Sequence, residues 1–226
     1  MDAAATQSLI DIVRRAGDAI LEVYETDFDV DTKDDQSPLT QADLAAHRVI
    51  ADGLAALAGD VPLLSEESVP PSFDARRQWR RYWLVDPLDG TKEFINRNGE
   101  FTVNIALIDD CQPVFGVVGV PVQNLVYTGD LQQGSALRHD ADGVQDMRGR
   151  AMKDDAELVV VASRSHGGER LENYLASLAE LYPKVSRTPV GSSLKLCILA
   201  EGKADLYPRL GPTSEWDIAA AHAVLK

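Results

Sequence analysis

The chain has 226 residues and carries 22 Lys and Arg against 36 Asp and Glu, which gives a formal net charge of −14 at pH 7. This acidic balance argues against nonspecific DNA binding and against docking on anionic lipid, because both need a basic face. It does not exclude an anionic substrate, since a bound metal cation inverts the local field.

The first half of the chain is expected to form two helices and then a sheet. Apolar residues at helical spacing predict one helix over residues 6–25 and a second that starts at Thr40. Strand-like segments follow at 61–65, 82–86, 101–108, 113–120 and 125–128. Because the links between neighbouring strands are short, we expect the sheet to be antiparallel.

The second half is expected to be a smaller α/β unit. Residues 129–156 are polar and rich in Gly, Asp and Arg, so we place a domain boundary late in this stretch and predict domains 1–155 and 156–226. Strands predicted at 158–162, near Val185 and at 204–207 alternate with helices predicted at 171–182, from Ser192 and from near Ser214. This alternation favours a layered α/β arrangement.

The most informative segment is residues 86–91, Asp-Pro-Leu-Asp-Gly-Thr, which follows a hydrophobic strand. Pro87 has no N–H for a central ladder, so the chain is expected to turn there and free the carbonyl of Leu88. Gly90 permits a positive φ, and a helix that starts after it would direct free N–H groups at an anion. Two carboxylates, a carbonyl and the hydroxyl of Thr91 are hard oxygen ligands, which suit Mg²⁺ better than zinc.

Ordinary structural roles compete with that interpretation. Asp86 in an Asx turn and Asp89 as a helix cap would explain the segment equally well on its own. Asp43 and Asp217 each stand where an acidic side chain completes a capping box at a helix start. Glu66 is the first of two glutamates after a second apolar strand. Considered by itself, it is better explained as an exposed strand end than as a ligand. Capping does not explain why two of these acidic clusters end buried strands, so we expect the carboxylates to converge.

Taken in order, these acidic motifs resemble the inositol monophosphatase superfamily of Mg²⁺-dependent, lithium-sensitive phosphatases, over residues 40–220. Within it the chain is most similar to the bacterial 3'(2'),5'-bisphosphate nucleotidases, which remove the 3'-phosphate of adenosine 3',5'-bisphosphate, a by-product of sulfate assimilation. The resemblance implies a sugar-phosphatase-like α+β fold, a layered αβαβα sandwich. The motifs that carry it are Asp43, Glu66-Glu67, Asp86 to Thr91 and Trp216 to Ala220 for the superfamily, and Asp89 to Phe94, Arg97 to Ile105, Ser163 to His166, Gly191 to Lys195 and Leu206 to Arg209 for the nucleotidases.

The resemblance implies a metal site and its catalytic partners. The hydroxyl of Thr91, oriented by Asp43, would take a proton from the attacking water, and the N–H groups of Gly90 and Thr91 would hold the reacting phosphate. Direct attack by water would leave no phospho-enzyme intermediate. Two or three Mg²⁺ ions would be held by Glu66, Asp86, the carbonyl of Leu88, Asp89 and Asp217.

The resemblance also implies how the rest of the substrate is held. Ser192, Lys195 and Arg209 would bind the second, 5'-phosphate, and His166 would lie near the nucleotide. From the residues alone, Lys195 is better explained as a solvated helix residue, and His166 equally well as a surface-loop histidine. In full, the implied substrate contacts are Glu66, Leu88, Asp89, Gly90, Thr91, His166, Ser192, Lys195, Arg209 and Asp217.

Other activities stay open at this point. The same chemistry would serve 3'-phosphoadenosine 5'-phosphosulfate, or an inositol phosphate or other sugar phosphate. A non-catalytic fragment that binds a nucleotide or a metal is a further alternative. We expect a small-molecule substrate, no nucleic-acid polymer as partner, and either a monomer or a homodimer.

Cysteine usage and the two ends of the chain predict a compartment and a missing segment. Cys111 and Cys197 form neither a disulfide framework nor a zinc-type spacing, which favours a reducing compartment. With no signal-peptide pattern and no apolar run near the roughly 18 residues of a membrane span, we expect a cytoplasmic protein, with peripheral association with the inner membrane left open. Family members continue past the helix that begins at Trp216, whereas this chain ends at Lys226, so we expect a C-terminally truncated fold with an exposed sheet edge.

Overall fold

The computed structural model describes residues 1–28, 30–32, 38–152, 156–163 and 168–226. Among these residues, none of the helices is both long and apolar enough to cross a membrane. The helices are α1 (Ala3–Tyr24), α2 (Gln41–Ala58), α3 (Phe73–Arg76), α4 (Thr91–Ile95), α5 (Glu169–Leu181), α6 (Leu194–Ala200) and α7 (Glu215–Leu225), with a 3₁₀ turn at Pro121–Gln123. The strands are β1 (Val30–Thr32), β2 (Pro38–Thr40), β3 (Leu63–Ser65), β4 (Arg81–Asp89), β5 (Thr102–Asp109), β6 (Gln112–Val120), β7 (Leu125–Asp130), β8 (Ser135–Asp140), β9 (Gly143–Asp146), β10 (Leu158–Ser163) and β11 (Val185–Val190).

A seven-stranded sheet in the order β3-β4-β5-β6-β7-β8-β9 forms the centre of the fold. Every neighbouring pair is antiparallel except β3 and β4, which run parallel. The prediction of an antiparallel sheet is therefore wrong for β3. A parallel pair needs a long crossover, and residues 66–80, which include α3, supply it.

The predicted elements are largely confirmed, with two corrections. No strand was predicted within residues 129–156, yet they contain the end of β7, all of β8 and all of β9, whose polar side chains suit an edge of the sheet. The strand predicted at 204–207 is wrong, because it forms only one parallel bridge, from Leu206 to Val160. The domain boundary after residue 155 stays a prediction, and residues 153–155 lie outside the described part of the chain.

Apolar side chains on both faces of the sheet make the layers of the molecule. One face packs on α1 and α2, and Leu9 and Ile50 of these helices belong to the same apolar cluster as Val103 and Ile105 of β5. The other face packs on α6 and α7, and the parallel pair β10-β11 covers those helices on their outer side. Helix α5 packs on that pair in turn, through Leu178. The order is helix, sheet, helix, sheet, helix, which confirms the predicted αβαβα sandwich.

Helix α7 lies against the central sheet at two glycines. A Cβ atom built at Gly116 would lie 2.1 Å from the carbonyl oxygen of Ala220, and one at Gly129 would lie 2.2 Å from that of Ala223. Real side chains never approach backbone atoms this closely, so only glycine fits at either position. The close approach fixes α7 on the sheet and, with it, the carboxylate of Asp217 in the first turn of this helix.

Candidate functional site

The acidic motif of β4 forms a β-bulge rather than the turn expected at Pro87. β4 continues to Asp89, but its pairing with β5 steps from Asp86 opposite Asn104 to Asp89 opposite Thr102. Two residues of β4 thus face one residue of β5. Side chains three positions apart in a regular strand point to opposite faces, and the extra residue brings both carboxylates to the face that α7 covers.

Leu88 is anchored inside this bulge. Its side chain is 2% exposed and belongs to the core beneath α1 and α2. In the register of β4 with β5 its backbone has no residue opposite it. The role of the Leu88 carbonyl as a ligand stays a prediction. The hydroxyl of Thr91 lies 3.4 Å from this carbonyl oxygen.

Two further carboxylates reach the bulge from other elements. Parallel pairing of β3 with β4 lets the N–H of Glu66 donate to the carbonyl of Val85 at 3.1 Å, directly before Asp86. Asp217 arrives from α7, where its Oδ2 accepts hydrogen bonds from the hydroxyl of Thr213 at 2.8 Å and the N–H of Ser214 at 3.0 Å. The capping role expected of Asp217 is confirmed, and the same geometry brings its carboxylate to the bulge.

The gathered carboxylates raise the pKa of their neighbours. Burial, followed by the charges of Glu66, Asp89 and Asp217, raises the pKa of Asp86 well above its ordinary value. Burial and Asp217 raise the pKa of Asp89 to about 7, against the opposing effects of Lys195 and the N–H of Ser193. Like charges held this closely are unfavourable unless a proton or a metal cation neutralises part of the charge.

This donor set fits Mg²⁺. It consists of carboxylate oxygens and one carbonyl oxygen freed from its ladder, which are the ligands of a hard cation. Within the described ranges, no three His, Cys, Asp or Glu side chains are gathered closely enough to hold a metal ion by themselves. Mg²⁺ suits such an open arrangement, because it keeps several waters and binds through one or two carboxylates together with substrate phosphates.

Asp43 combines a capping role with a contact to the proposed catalytic hydroxyl. Its side chain is 1% exposed, and its Oδ2 accepts hydrogen bonds from the N–H of Thr40 at 2.8 Å and the hydroxyl of Thr40 at 2.6 Å. Its other oxygen, Oδ1, lies 3.4 Å from the hydroxyl of Thr91, which is a long contact. The predicted capping box is confirmed, and the cap holds Oδ1 toward Thr91 at the start of α4.

Gly90 makes the turn from the bulge into α4. Its φ is +93°, a left-handed value that favours glycine, so the expected positive φ is confirmed. A Cβ atom here would also lie 3.3 Å from the Cβ of Ser192. Gly90 therefore lets the strand turn and lets the loop before α6 approach the bulge.

A cavity of about 270 Å³ opens beside this turn. Two acidic residues, Asp89 and Asp217, and two cationic residues, Lys195 and Arg209, line it. We call the first pair, with the carboxylates behind it, the acidic wall, and the second pair the cationic wall. Gly90, Thr91 and Ser192 also line it, whereas Asp43, Glu66, Asp86 and Leu88 do not line it. His166 lies outside the described residues.

Lys195 is buried, so its interpretation as a solvated helix residue is wrong. It is 4% exposed, and its Nζ donates to the carbonyl oxygens of Ser192 and, at 3.3 Å, Val190. Nζ also lies 5.4 Å from the ring centroid of Tyr207, a cation–π distance. Burial lowers the pKa of Lys195, whereas the charge of Asp89 raises it.

Arg209 keeps a buried donor at the cavity. Its Nη2 donates to the carbonyl of Pro212 at 2.7 Å, which fixes the guanidinium in place. In the part of the chain that the structure describes, its Nε is buried and has no hydrogen-bond partner. A buried donor without a partner is costly, so this nitrogen favours a site that receives an acceptor from a bound molecule.

Sequence reasoning included several residues of the site in its motifs but gave them no role. Ser193 donates its N–H to Oδ2 of Asp89, and its side chain contacts Thr102 and Asn104 of β5. The signal for the β5 pair was visible, because two polar residues at alternate positions interrupt one face of a buried strand. Further lining residues to which sequence reasoning gave no role in the site are Lys92, Glu93, Ser163, Leu196, Tyr207, Thr213 and Ile218.

The layered fold and the acidic cavity place the chain in a known class. The sequence profile of the Inositol monophosphatase family matches residues 2–226. The chain belongs to this family, which confirms the resemblance found in its motifs.

Individual proteins similar to this chain have names more specific than that of the family. The chain is 53% identical to the 3'(2'),5'-bisphosphate nucleotidase CysQ of Shigella flexneri over 215 residues, 94% of this chain and 83% of that protein. It is 52% identical to the CysQ of Escherichia coli (strain K12), with the same coverage. The crystal structure of CysQ from Bacteroides thetaiotaomicron superposes with a TM-score of 0.82 at 41% identity and covers 96% of this chain and 84% of that one. The suhB protein of Bartonella henselae, at 23% identity and a TM-score of 0.79 over 99% of this chain and 84% of that chain, shares the fold.

Proposed function

We propose that the chain is a 3'(2'),5'-bisphosphate nucleotidase that hydrolyses the 3'-phosphate of adenosine 3',5'-bisphosphate to AMP and phosphate with Mg²⁺. The observation that carries this proposal is the cavity with an acidic wall and a buried cationic wall, because a bisphosphate needs both. The names of the CysQ relatives support the same substrate. 3'-Phosphoadenosine 5'-phosphosulfate is a second proposed substrate, from which the chain would also remove the 3'-phosphate.

The acidic wall would hold two or three Mg²⁺ ions. When bound, this cation supplies positive charge that stabilises the reacting phosphate and acidifies the attacking water. The proposed ligands are Glu66, Asp86, the carbonyl of Leu88, Asp89 and Asp217.

The residues beside the turn would carry the proton and hold the ester. Oγ of Thr91 accepts a proton from the attacking water and passes its own hydrogen to Oδ1 of Asp43, which already lies 3.4 Å away. The N–H groups of Gly90 and Thr91 hold oxygens of the reacting phosphate. The water oxygen bonds to phosphorus as the P–O bond to the 3'-oxygen breaks. The 3'-oxygen takes a proton from a second water molecule and leaves as the 3'-hydroxyl of AMP.

The cationic wall would hold the 5'-phosphate. Lys195 acts as a point charge that two backbone carbonyls orient, and Arg209 offers its buried Nε as a directed donor. Ser192, next to them on the loop, offers a hydroxyl. The adenosine and His166 are proposed to lie near this wall, although His166 itself is not described.

Phosphate release from three substrates tests the proposal. We expect the chain to release phosphate from adenosine 3',5'-bisphosphate in Mg²⁺ but not in EDTA. Adenosine 3'-monophosphate and inositol 1-phosphate, each with one phosphate, should be poor substrates. Preference for inositol 1-phosphate would favour an inositol monophosphatase, and no release from any substrate would contradict the proposal.

Lys195→Met separates the two phosphatase activities. A hydrogen bond to a charged group contributes about 1.5–3 kcal/mol, so kcat/KM for the bisphosphate should fall at least about tenfold. The rate on either monophosphate should change little. Lys184→Met is the matched control, because Lys184 is exposed and pairs with Glu157 on the surface. Equal losses on all substrates would contradict the role given to Lys195.

A further inference from the structure

Three buried polar side chains form a bridge between the central sheet and the loop before α6. Thr102 and Asn104 of β5 are 0% and 1% exposed, and Ser193 is 3% exposed. Oγ of Ser193 lies 2.8 Å from Oδ1 of Asn104 and 2.9 Å from Oγ1 of Thr102. The single hydroxyl hydrogen of Ser193 goes to Asn104, whose Oδ1 only accepts, so Thr102 donates to Ser193. We call this set the Thr102–Ser193–Asn104 bridge.

The bridge lies directly against the acidic wall. Thr102 stands opposite Asp89 in the β4–β5 ladder, and Asn104 stands opposite Asp86. Cross-strand partners share a face of the sheet, so the bridge and both carboxylates lie on one face. Ser193 also donates its backbone N–H to Oδ2 of Asp89. Each carboxylate of the bulge therefore has a bridge residue as its neighbour.

Ser193 also links the bridge to the cationic wall, because it follows Ser192, which orients Lys195. Ser192, directly before Ser193, has a left-handed φ of +46° and accepts the hydrogen bond from Nζ of Lys195 with its carbonyl. The preceding N–H, of Gly191, donates to Oε2 of Glu100 at 2.8 Å. The loop that holds Lys195 is thus fixed by its backbone, and Ser193 fastens it to β5 beside Asp89.

Packing alone does not account for polar residues here. Further along the same face of β5, Ala106 and Ile108 are apolar and buried against α6 and α7. Polar side chains occur on this face of the strand only beside Asp86 and Asp89, in the described part of β5. A valine would fill the volume of Thr102 without needing a partner, so the hydroxyl serves a directional contact.

We propose that Thr102, Asn104 and Ser193 are positioning residues that fix the distance between the two walls and thereby select substrates with two phosphates. The selection part of this proposal rests on the proposed nucleotidase function. Asp89 lies on β4, whereas the loop before α6 orients Lys195 through the carbonyl of Ser192, so a shift of this loop relative to the sheet changes the distance between the two phosphate positions. A substrate with one phosphate does not sense this spacing.

The test compares the removal of two buried hydroxyls from the same sheet. Thr102→Val removes the hydroxyl of the bridge, and Thr102→Ser keeps it. Thr128→Val is the matched control, since Thr128 is 3% exposed and its hydroxyl bonds Nε2 of His139 at 2.9 Å. Thr128 lies on β7, outside the lining of the cavity. The readouts are kcat/KM for adenosine 3',5'-bisphosphate and for adenosine 3'-monophosphate, and Mg²⁺ affinity by calorimetry without nucleotide.

Thr102→Val should lower the ratio of kcat/KM for the bisphosphate to kcat/KM for the monophosphate about tenfold, since small misplacements of binding groups cost up to 10²-fold. It should also weaken Mg²⁺ binding several-fold. Thr102→Ser should restore most of both values, and Thr128→Val should change neither. The ratio does not depend on the fraction of protein that is folded, because the concentration of folded enzyme enters both kcat/KM values equally.

Three outcomes would overturn the proposal. The first is a Thr102→Val protein that matches Thr128→Val in both readouts, and the second is a Thr102→Ser protein as impaired as Thr102→Val. If Thr102→Val does not fold, Ser193→Ala replaces it. The third outcome is then a Ser193→Ala protein whose kcat/KM ratio and Mg²⁺ affinity are both unchanged. A wild-type chain that hydrolyses neither nucleotide contradicts the nucleotidase function and its selection, while the Mg²⁺ titration still decides whether the bridge positions the acidic wall.

Discussion

At the scale of single residues, the acidic wall is held together against its own repulsion. A carboxyl group whose pKa is raised in the folded protein keeps a proton that the unfolded chain releases. For Asp89 the window runs from the ordinary value of 3.8 to about 7. The folded state binds more protons in this window, so the free energy of unfolding falls as pH rises through it. Without metal, the ionised site therefore opposes folding.

Asp89→Asn should stabilise the metal-free protein while it abolishes turnover. The gain in Tm over wild type, measured in EDTA, should be larger at pH 8 than at pH 5, because Asp89 is charged only at the higher pH. Each pKa unit corresponds to about 1.4 kcal/mol, and a protein of this size shifts by roughly 2–4 °C per kcal/mol. We expect a gain in Tm at the low end of what a pKa shift from 3.8 to about 7 implies, because Asp89 lines the cavity and solvent there screens its charge.

Mg²⁺ provides the control for this variant. At pH 8 the cation should raise the Tm of wild type, as any ligand of the folded state does, and raise that of Asp89→Asn much less. A Tm gain that is equal at both pH values, or an equal response to Mg²⁺, would contradict the place given to Asp89.

The sequence predicted residues of this site unevenly. The carboxylates could be predicted because two acidic clusters directly follow buried strands, which helix capping does not explain. Burial of Lys195 could not be found, because α6 is short and Lys195 lies between apolar neighbours that fit either a solvated or a covered face. The role of Ser193 depends on a contact with Asn104, far along the chain, which a local pattern does not contain.

At the scale of elements, the position of α7 decides where Asp217 lies. The helix packs on the sheet through small residues, among them Ala220 and Ala223, and through the bare backbone of Gly116 and Gly129. Added volume at either glycine meets backbone rather than a flexible side chain. The helix must then move away from the sheet.

Gly116→Ala should therefore lower both stability and turnover. Overpacking of a tight core costs about 1–3 kcal/mol, and contact with backbone places this change at the upper end. Displacement of Asp217 should reduce kcat at least about tenfold. Gly134→Ala is the control, because Gly134 has a φ of +61° but open space around its Cα. It should lose about 1 kcal/mol from backbone strain and keep its kcat. An unchanged kcat in a folded Gly116→Ala protein would separate Asp217 from this packing.

Elements were predicted best where their apolar pattern is long. Helices α1 and α2 and strands β4 to β7 have such patterns, and all were found. Strands β8 and β9 were missed because their side chains are half-buried or exposed and include Arg138 and Asp140, which read as a loop. The parallel direction of β3 depends on where the chain returns after α3, and no residue within β3 specifies it.

At the scale of the whole molecule, one carboxylate joins the segment after β9 to the outer layer of β10 and β11. Oδ2 of Asp205 accepts the N–H of Val159 at 2.7 Å, and both its oxygens bond the guanidinium of Arg150. The hydrogen bond from Arg150 lowers the pKa of Asp205. A lowered pKa contributes stability that is present above the ordinary value of 3.8 and is lost as pH falls through the folded value.

Asp205→Asn should therefore destabilise the protein at pH 7 and much less near pH 3. The loss should be about 1 kcal/mol, the usual net value of a hydrogen bond, and urea unfolding at both pH values measures it. Asp74→Asn is the control, because Asp74 is exposed and its pair with Arg77 spans 3.6 Å. If both variants lose the same amount at pH 7, the contact of Asp205 does not join the layers.

The bulge in β4 has a consequence for the length of its motif. Two carboxylates separated by one residue already share a face of a regular strand. The motif is one residue longer, and the surplus residue gives the site a main-chain oxygen that no pairing consumes, on Leu88. Shortening the motif by that residue would keep the two acids in register and remove this oxygen. If the proposed metal site is correct, the additional residue contributes a ligand from the backbone, which no side-chain substitution can delete.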